Sequence, residues 1–203
     1  PHASSSAASD VYKRQVQDAA AAADIYAFTG HKWACGPEGL GGVALSERVL
    51  NEGQPTVIGW RSLQDESKAD LSSSDPFHHD SRRFEVATSC VPLMAGLRCS
   101  LELLDQEGSA ETRLMRIRQL SGDLWSGLRE MPGVKPLMEV PPASGLVSFQ
   151  LSCDAAPAEV VQQLGQQGLW IRDLADPSCL RACTHVTTTE AEAEALTTVI
   201  ARY

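Results

Sequence analysis

The chain has 203 residues, of which 43% are hydrophobic and 21% are charged, enough apolar material for one large domain or two small ones. Its formal net charge of -9 argues against a nucleic-acid partner, because such binding needs clustered Lys and Arg. No apolar run approaches the ~18 residues of a membrane span, and the start lacks the pattern of a signal peptide. We therefore expect a cytoplasmic protein with no nucleic-acid or membrane partner.

Residues 1–15 read PHASSSAASDVYKRQ and are rich in Ser and Ala without periodicity. Their character changes abruptly at Val16. We interpret them as a non-native or disordered leader and leave them out of the fold prediction.

The six cysteines form no CxxC pair, which favours free thiols over a disulfide framework. Cys179, Cys183 and His185 supply three possible zinc ligands, whereas a structural zinc site needs four. The segment DPFHHD, with His78 and His79, is typical of a solvated loop. We predict no metal site.

The first predicted elements frame a glycine-rich loop. ADIYAF (residues 23–28) predicts a strand that is buried in a parallel sheet whose other strands come from sequence outside this chain, and LGGVALS (40–46) predicts a second short strand. Residues 47–83 are polar and rich in Gly, Pro and Ser, which predicts a long exposed loop that is functional or held by a partner.

Two helices follow. Leu93, Leu97, Leu101 and Leu104 have helical spacing, and Gly108 is a stop signal. A second helix opens at Ser109 and is closed by Pro132-Gly133. The remaining residues predict a small α+β domain: a strand at 144–152, a helix at 158–167, two short strands at 169–174 and 180–185, and a terminal helix from Thr189.

Lys32 lies between the first predicted strand and the glycines, so it fits neither a Walker loop nor a dinucleotide fingerprint. Thr29 and His31 beside it can both hydrogen-bond an anion. A lysine that is partly desolvated in such a pocket favours the neutral amine that forms a Schiff base. The alternative is a surface lysine in a turn.

Four stretches, taken in order, carry a family resemblance: DIYAFTGHKWACGPEGLGGVAL, IGWRSL, RRFEVATS and IRDLADPSCLRACTH. Together they resemble the class V aminotransferases, fold-type-I enzymes that use pyridoxal 5'-phosphate (PLP), and are most similar to the cystine lyase branch. The resemblance implies an α/β fold. Residues 16–108 would be the C-terminal part of the PLP-binding large domain with a connecting helix, and 109–203 the small C-terminal domain.

The resemblance also implies roles for individual residues. Lys32 would bond covalently to PLP, and Thr29 and His31 would contact the cofactor's phosphate. Arg181 would bind the substrate α-carboxylate, with an ordinary salt bridge as the alternative reading. Arg172 would be a second polar contact to the substrate.

The family is usually a homodimer with its active sites at the interface. By resemblance, the segment that contains Thr56, Gly59, Trp60 and Arg61 would reach the site of the neighbouring subunit.

The implied function is a PLP-dependent carbon-sulfur lyase that acts on cysteine, cystine or a related sulfur amino acid by β-elimination. Only residues 173–180 separate Arg172 from Arg181, which leaves no room for the cysteine-bearing loop of the cysteine desulfurases. An aminotransferase, an epimerase or a desulfurase remains an alternative. The Asp that pairs with the pyridinium nitrogen is not found before Lys32, so the chain resembles a C-terminal half, and a non-catalytic fragment is the alternative of another class.

Overall fold

The computed structural model describes residues 20–65 and 75–203. The chain divides into two compact units, the first ending at Gln106 and the second comprising Glu107–Tyr203. The domain boundary expected from the sequence, between 108 and 109, lies two residues from this division.

The first unit opens with a β-hairpin of strands β1, Ile25–Thr29, and β2, Gly41–Leu45. They pair antiparallel, from Ile25 opposite Leu45 to Thr29 opposite Gly41. Ile25 is 62% and Phe28 44% exposed on β1. The parallel strands expected to bury β1 belong to sequence outside this chain, so that burial stays a prediction. Among the described residues no third strand joins this sheet. Apolar character therefore identified the strand but not what covers it.

The polar stretch after β2 is more ordered than its composition predicts. Helix α1, Glu47–Glu52, begins where the Ser46 side chain accepts a hydrogen bond from the Val49 N–H. Two short 3₁₀ helices follow, at Trp60–Ser62 and Ser81–Phe84. The prediction of one long exposed loop over 47–83 is thus wrong for these described parts, because local capping bonds order a polar sequence. Residues 66–74 of that stretch lie outside the described residues.

Helix α2, Val91–Gln106, completes the first unit. Its length matches the helical spacing of leucines in the sequence. Leu104 is its buried residue, whereas Met94 and Leu101 are each 44% exposed.

The second unit begins with helix α3, Ala110–Glu130, whose N-cap Ser109 accepts from the Thr112 N–H. The other elements are strand β3 (Val134–Pro136), strand β4 (Leu146–Leu151), helix α4 (Pro157–Gly165), strand β5 (Arg172–Ala175), strand β6 (Ser178–Cys183) and helix α5 (Glu190–Ile200). The sheet is antiparallel throughout, in the order β3-β4-β6-β5.

One hydrophobic core holds this unit together. Leu128, Phe149 and Leu164 are each 0% exposed, and they bring together a helix, the sheet and a second helix. Leu180 and Ala182 of β6 belong to the same core. Arg181 lies between them in sequence and so points to the opposite face of the sheet.

In the described ranges, no helix is both long enough and apolar enough to cross a bilayer.

Candidate functional site

The loop that carries Lys32 is closed by its own backbone. The Gly30 N–H donates to the Leu40 carbonyl at 2.8 Å, and the Gly36 N–H donates to the Gly30 carbonyl at 2.8 Å. Within the loop that these two bonds close, the Cys35 N–H donates to the Lys32 carbonyl at 2.9 Å. The backbone on both sides of Lys32 is therefore fixed by local hydrogen bonds.

Thr29, the last residue of β1, has a hydroxyl that fits an anionic ligand. Its Oγ1 is buried and has no hydrogen-bond partner among the described residues. A buried hydroxyl without a partner is costly, and a phosphate oxygen would satisfy it. This orphaned atom lies three residues before Lys32, so the residues present fit the phosphate end of PLP.

His31 and Lys32 are both exposed. The described residues do not themselves desolvate Lys32, because the strands before and after its loop form an open hairpin, so its partial desolvation stays a prediction for the whole protein. The described residues fix the backbone of Lys32 but bury little of its amine.

The segment from Thr56 to Arg61 is anchored through Ser62, which sequence reasoning missed. The Ser62 hydroxyl donates to the Glu85 carbonyl at 2.6 Å and accepts from the Gly59 N–H at 3.1 Å. Ser62 is 0% exposed. A serine in a polar stretch gives no signal that its hydroxyl will be buried. The burial of Ser62 depends on its tertiary contact with Glu85, which the sequence does not show.

Gly59 is needed for this anchoring. A Cβ built on Gly59 would lie 1.7 Å from the Val86 carbonyl oxygen, so only glycine fits against that backbone. Arg61 adds an ion pair to Glu85 at 3.8 Å. Thr56 is exposed, and Trp60 is 42% exposed. Thr56 and Trp60 of the anchored segment are thus exposed, whereas Arg61 is half-buried against Glu85.

In the second unit, Arg172 of β5 and Arg181 of β6 are directly opposite each other in the antiparallel register. Ser148 of β4 flanks Arg181 on the other side. Opposite residues on neighbouring strands share a sheet face with Cβ atoms ~5 Å apart, and two like charges there repel. The part of the chain that the structure describes pairs neither arginine with a carboxylate. The pair therefore favours a bound anion.

The thiols near this pair are poorly suited to nucleophilic attack. Strands β5 and β6 are joined by the two residues Asp176-Pro177, so the hairpin has no long loop. Cys179 is 1% exposed, and its burial raises the pKa of the thiol, an effect that the positive charge of Arg181 only partly opposes. Partial desolvation also raises the pKa of Cys183, although the side chain of this residue is exposed. A nucleophilic cysteine needs the opposite shift.

The predicted site residues thus form two groups. Thr29, at the end of β1, and His31 and Lys32, in the loop that follows, lie close together in sequence in the first unit. The anchored 56–61 segment belongs to the same unit. Arg172 and Arg181 form one pair in the second unit. No cluster of three or more metal-ligating side chains occurs within residues 20–65 and 75–203.

The chain is similar to known proteins over most of its length. A family model described as Aminotransferase class-V matches residues 6–196. Solved structures of a cystine C-S lyase, C-DES, match with a TM-score of 0.81 and 40% identity, over 89% of this chain and 46% of that chain. One contains the reaction product cysteine persulfide, and the other, a lysine-to-alanine variant, has glycine covalently linked to the PLP cofactor.

Curated relatives are more distant. The isopenicillin N epimerase of Streptomyces clavuligerus is 28% identical over 155 residues, which are 73% of this chain and 37% of the epimerase. A cysteine desulfurase of Haloferax volcanii is 28% identical over 155 residues, which are 74% of this chain and 34% of that enzyme. The chain spans less than half the length of these relatives. Because the family model covers nearly all of the chain, the resemblance and the expected fold are confirmed: the chain belongs to the class V aminotransferase family, a family of PLP-dependent enzymes.

Proposed function

We propose that the protein containing this chain is a PLP-dependent carbon-sulfur lyase that cleaves cysteine, cystine or a related sulfur amino acid by β-elimination. The observation that carries the choice of elimination is the two-residue β5–β6 turn beside the arginine pair, which leaves no loop for an enzyme thiol to receive sulfur. The 40% identity to a cystine C-S lyase supports the same choice.

In this proposal Lys32 bonds covalently to PLP, and the Thr29 hydroxyl donates to the cofactor's phosphate. His31 lies beside the same anion and adds a second polar contact. When bound, PLP supplies an electron sink for the carbanion that forms at the substrate Cα. The backbone hydrogen bonds of the loop would hold Lys32 in place when PLP is bound.

The arginine pair binds the carboxylate end of the substrate. The planar guanidinium of Arg181 can donate to both oxygens of the α-carboxylate, and Arg172 adds a second donor from the neighbouring strand. This contact orients the Cα–H bond. The amine of Lys32, once freed, then takes the α-proton.

Loss of that proton allows the Cβ–S bond to break. The electron pair of the C–H bond ends in the Cα–Cβ double bond, and the sulfur leaves with the electron pair of the C–S bond and takes up a proton, which gives hydrogen sulfide from cysteine or cysteine persulfide from cystine. Water converts the remaining 2-aminoacrylate to pyruvate and ammonium. No oxidant is needed, because the persulfide sulfur is already in the oxidation state that the disulfide supplies.

We also propose a homodimer in which the 56–61 segment completes the site of a second copy. Val57, Ile58 and Trp60 are 65%, 44% and 42% exposed on this segment. Ser62 and Gly59 hold its backbone rigidly, which suits a surface that a second copy covers.

A product assay tests the reaction type on the protein as it is encoded in its genome. With cystine as substrate, we expect equal amounts of pyruvate, ammonium and cysteine persulfide. Arg181→Gln should lower kcat/KM by about 100-fold, since it removes a charged bidentate contact. The exposed Arg116, changed in the same way, is the matched control.

Other products would contradict elimination. Amino transfer to a keto acid without pyruvate from the substrate would indicate an aminotransferase, and inversion at Cα would indicate an epimerase. A persulfide on the protein would indicate a desulfurase. Failure to form any product would favour a non-catalytic protein.

A further inference from the structure

Helix α2 presents one stripe of residues to the loop that carries Lys32. Leu93, Gly96, Leu97 and Ser100 have the spacing i, i+3, i+4 and i+7, which places them on one face of a helix. Each lies against a different part of residues 30–39. We call these four residues the α2 stripe.

Glycines allow the loop and the helix to approach closely. A Cβ built on Gly36 would lie 2.6 Å from Cδ1 of Leu97, and one built on Gly30 would lie 3.3 Å from the same atom. On the helix side, a Cβ on Gly96 would lie 3.2 Å from Cγ of Pro37. The Leu97 side chain therefore fills a hollow that these glycines leave open, and any side chain at Gly36 would displace it.

Ser100 makes the polar contact of the stripe. Its hydroxyl donates to the Cys35 carbonyl at 2.9 Å and also lies 3.0 Å from the Gly96 carbonyl of its own helix, a shared geometry in which one proton faces two acceptors. The bond to Cys35 joins residues that are 65 positions apart.

The hydrogen bond from Ser100 acts on a residue, Cys35, whose backbone conformation is unfavourable. Its φ of 52° lies in the left-handed region, which a residue with a side chain adopts only when its surroundings hold it there. The Cys35 N–H in turn donates to the Lys32 carbonyl at 2.9 Å. A bond that fixes Cys35 thus also fixes the main chain of Lys32.

We propose that Leu97 and Ser100 are positioning residues for Lys32. Leu97 sets the distance between loop and helix, and Ser100 holds Cys35 in its left-handed conformation, so that the lysine amine meets a bound aldehyde in one orientation. This inference rests on the proposed function, in which Lys32 is the residue that bonds to PLP.

The test compares two lysines in the same molecule. The protein as it is encoded in its genome is incubated with excess pyridoxal 5'-phosphate, reduced with borohydride and digested, and the label on Lys32 is measured by mass spectrometry relative to that on Lys135. Lys135 is an exposed lysine on β3 of the second unit and serves as the internal reference. Ser100→Ala should lower the Lys32:Lys135 ratio by about fivefold, the population change that the loss of one net hydrogen bond produces.

Three further variants separate positioning from general stability. Ser100→Thr keeps the hydroxyl and should restore the ratio. Leu97→Ala should lower the ratio at least as much as Ser100→Ala. Leu101→Ala, on the same helix but outside the α2 stripe and 44% exposed, should leave the ratio unchanged.

Hydrogen exchange gives a second readout that needs no cofactor. The amides of Cys35 and Gly36 should exchange faster in Ser100→Ala than in the unaltered chain, while those of β4 should not change. A ratio that neither Ser100→Ala nor Leu97→Ala alters would overturn this inference alone. Labelling of Lys32 that is no stronger than that of Lys135 in the unaltered protein, as it is encoded in its genome, would overturn the proposed function, and this inference with it.

Discussion

The two units of the chain are stabilised in different ways. The second unit buries large side chains completely, with Leu128, Phe149 and Leu164 at 0% exposure. The first unit leaves Ile25 at 62% and Val43 at 55% exposure on the hairpin that carries the Lys32 loop. Hydrophobic burial is the dominant favourable term in folding, so we expect the second unit to be stabilised mainly by its core, and the described part of the first mainly by hydrogen bonds and close glycine contacts.

The largest expected difference is between two phenylalanines. Phe149→Ala should destabilise the second unit by ~3–5 kcal/mol, because it leaves a cavity in the core. Phe28 is 44% exposed on β1, and Phe28→Ala should cost about 1 kcal/mol or less. Urea denaturation with amide hydrogen exchange measures both. Equal losses would show that the first unit has a core of comparable strength.

Two glycine-to-alanine substitutions, one in each unit, extend the comparison of the two units. Gly59→Ala should destabilise the first unit by ~1–3 kcal/mol, because the new Cβ would meet the Val86 carbonyl and the backbone must move. Gly127→Ala in α3 should stabilise the second unit by up to ~1 kcal/mol, since alanine favours helix and the nearest atom, Cγ2 of Thr197, is 3.5 Å away. Thermal unfolding of each variant is the measurement. A neutral Gly59→Ala would contradict the described approach to Val86.

In the second unit, a residue proposed to bind the substrate should lower the stability of the fold. Arg172→Gln removes the charge opposite Arg181 and should raise the stability of the second unit by ~0.2–1 kcal/mol, while weakening the binding of an α-carboxylate. The gain should shrink at high salt, because the pair is solvent-accessible. Arg116→Gln is the control. A loss of stability in Arg172→Gln would indicate that Arg172 has a structural partner instead.

The smallest effects concern two carboxylates, one in each unit. The guanidinium and the backbone N–H of Arg82 lower the pKa of Asp80 from 3.8 to about 2. Hydrogen bonds from the backbone and the hydroxyl of Thr189 lower the pKa of Glu192. Both contributions to stability are present above the ordinary pKa of each group and are lost as the pH falls through the lowered value. In an NMR titration, Arg82→Gln should raise the pKa of Asp80 and leave that of Glu192 unchanged.

Helices with strong local signals could be predicted from the sequence. Ser109 and Thr189 cap α3 and α5 at the positions that the sequence analysis assigned, because an N-cap is a local bond between a side chain and a nearby N–H. Helix α1 escaped notice, since its six residues carry no apolar periodicity. Strand β3 could not be predicted, because three residues are too short for a periodic signal and Pro136 argues against a strand.

The candidate site was predictable only in part. Lys32, Thr29 and the two arginines followed from their motifs, and their roles remain predictions. Burial could not be inferred, because the sequence shows that Ile25 is apolar but not what packs against it. The contacts of Ser62 with Glu85 and of Ser100 with Cys35 join residues 23 and 65 positions apart. No local pattern encodes such tertiary bonds.

The central claim, that Lys32 is the residue that bonds to PLP, is tested most directly by reductive trapping in the protein as it is encoded. After incubation with PLP and reduction with borohydride, peptide mass spectrometry should find the pyridoxyl group on Lys32 at about one per chain. Lys32→Ala should abolish both this label and the visible absorbance of the bound cofactor. A cofactor that stays bound to Lys32→Ala with its absorbance unchanged, or a label shared equally between Lys32 and Lys135, would contradict the account.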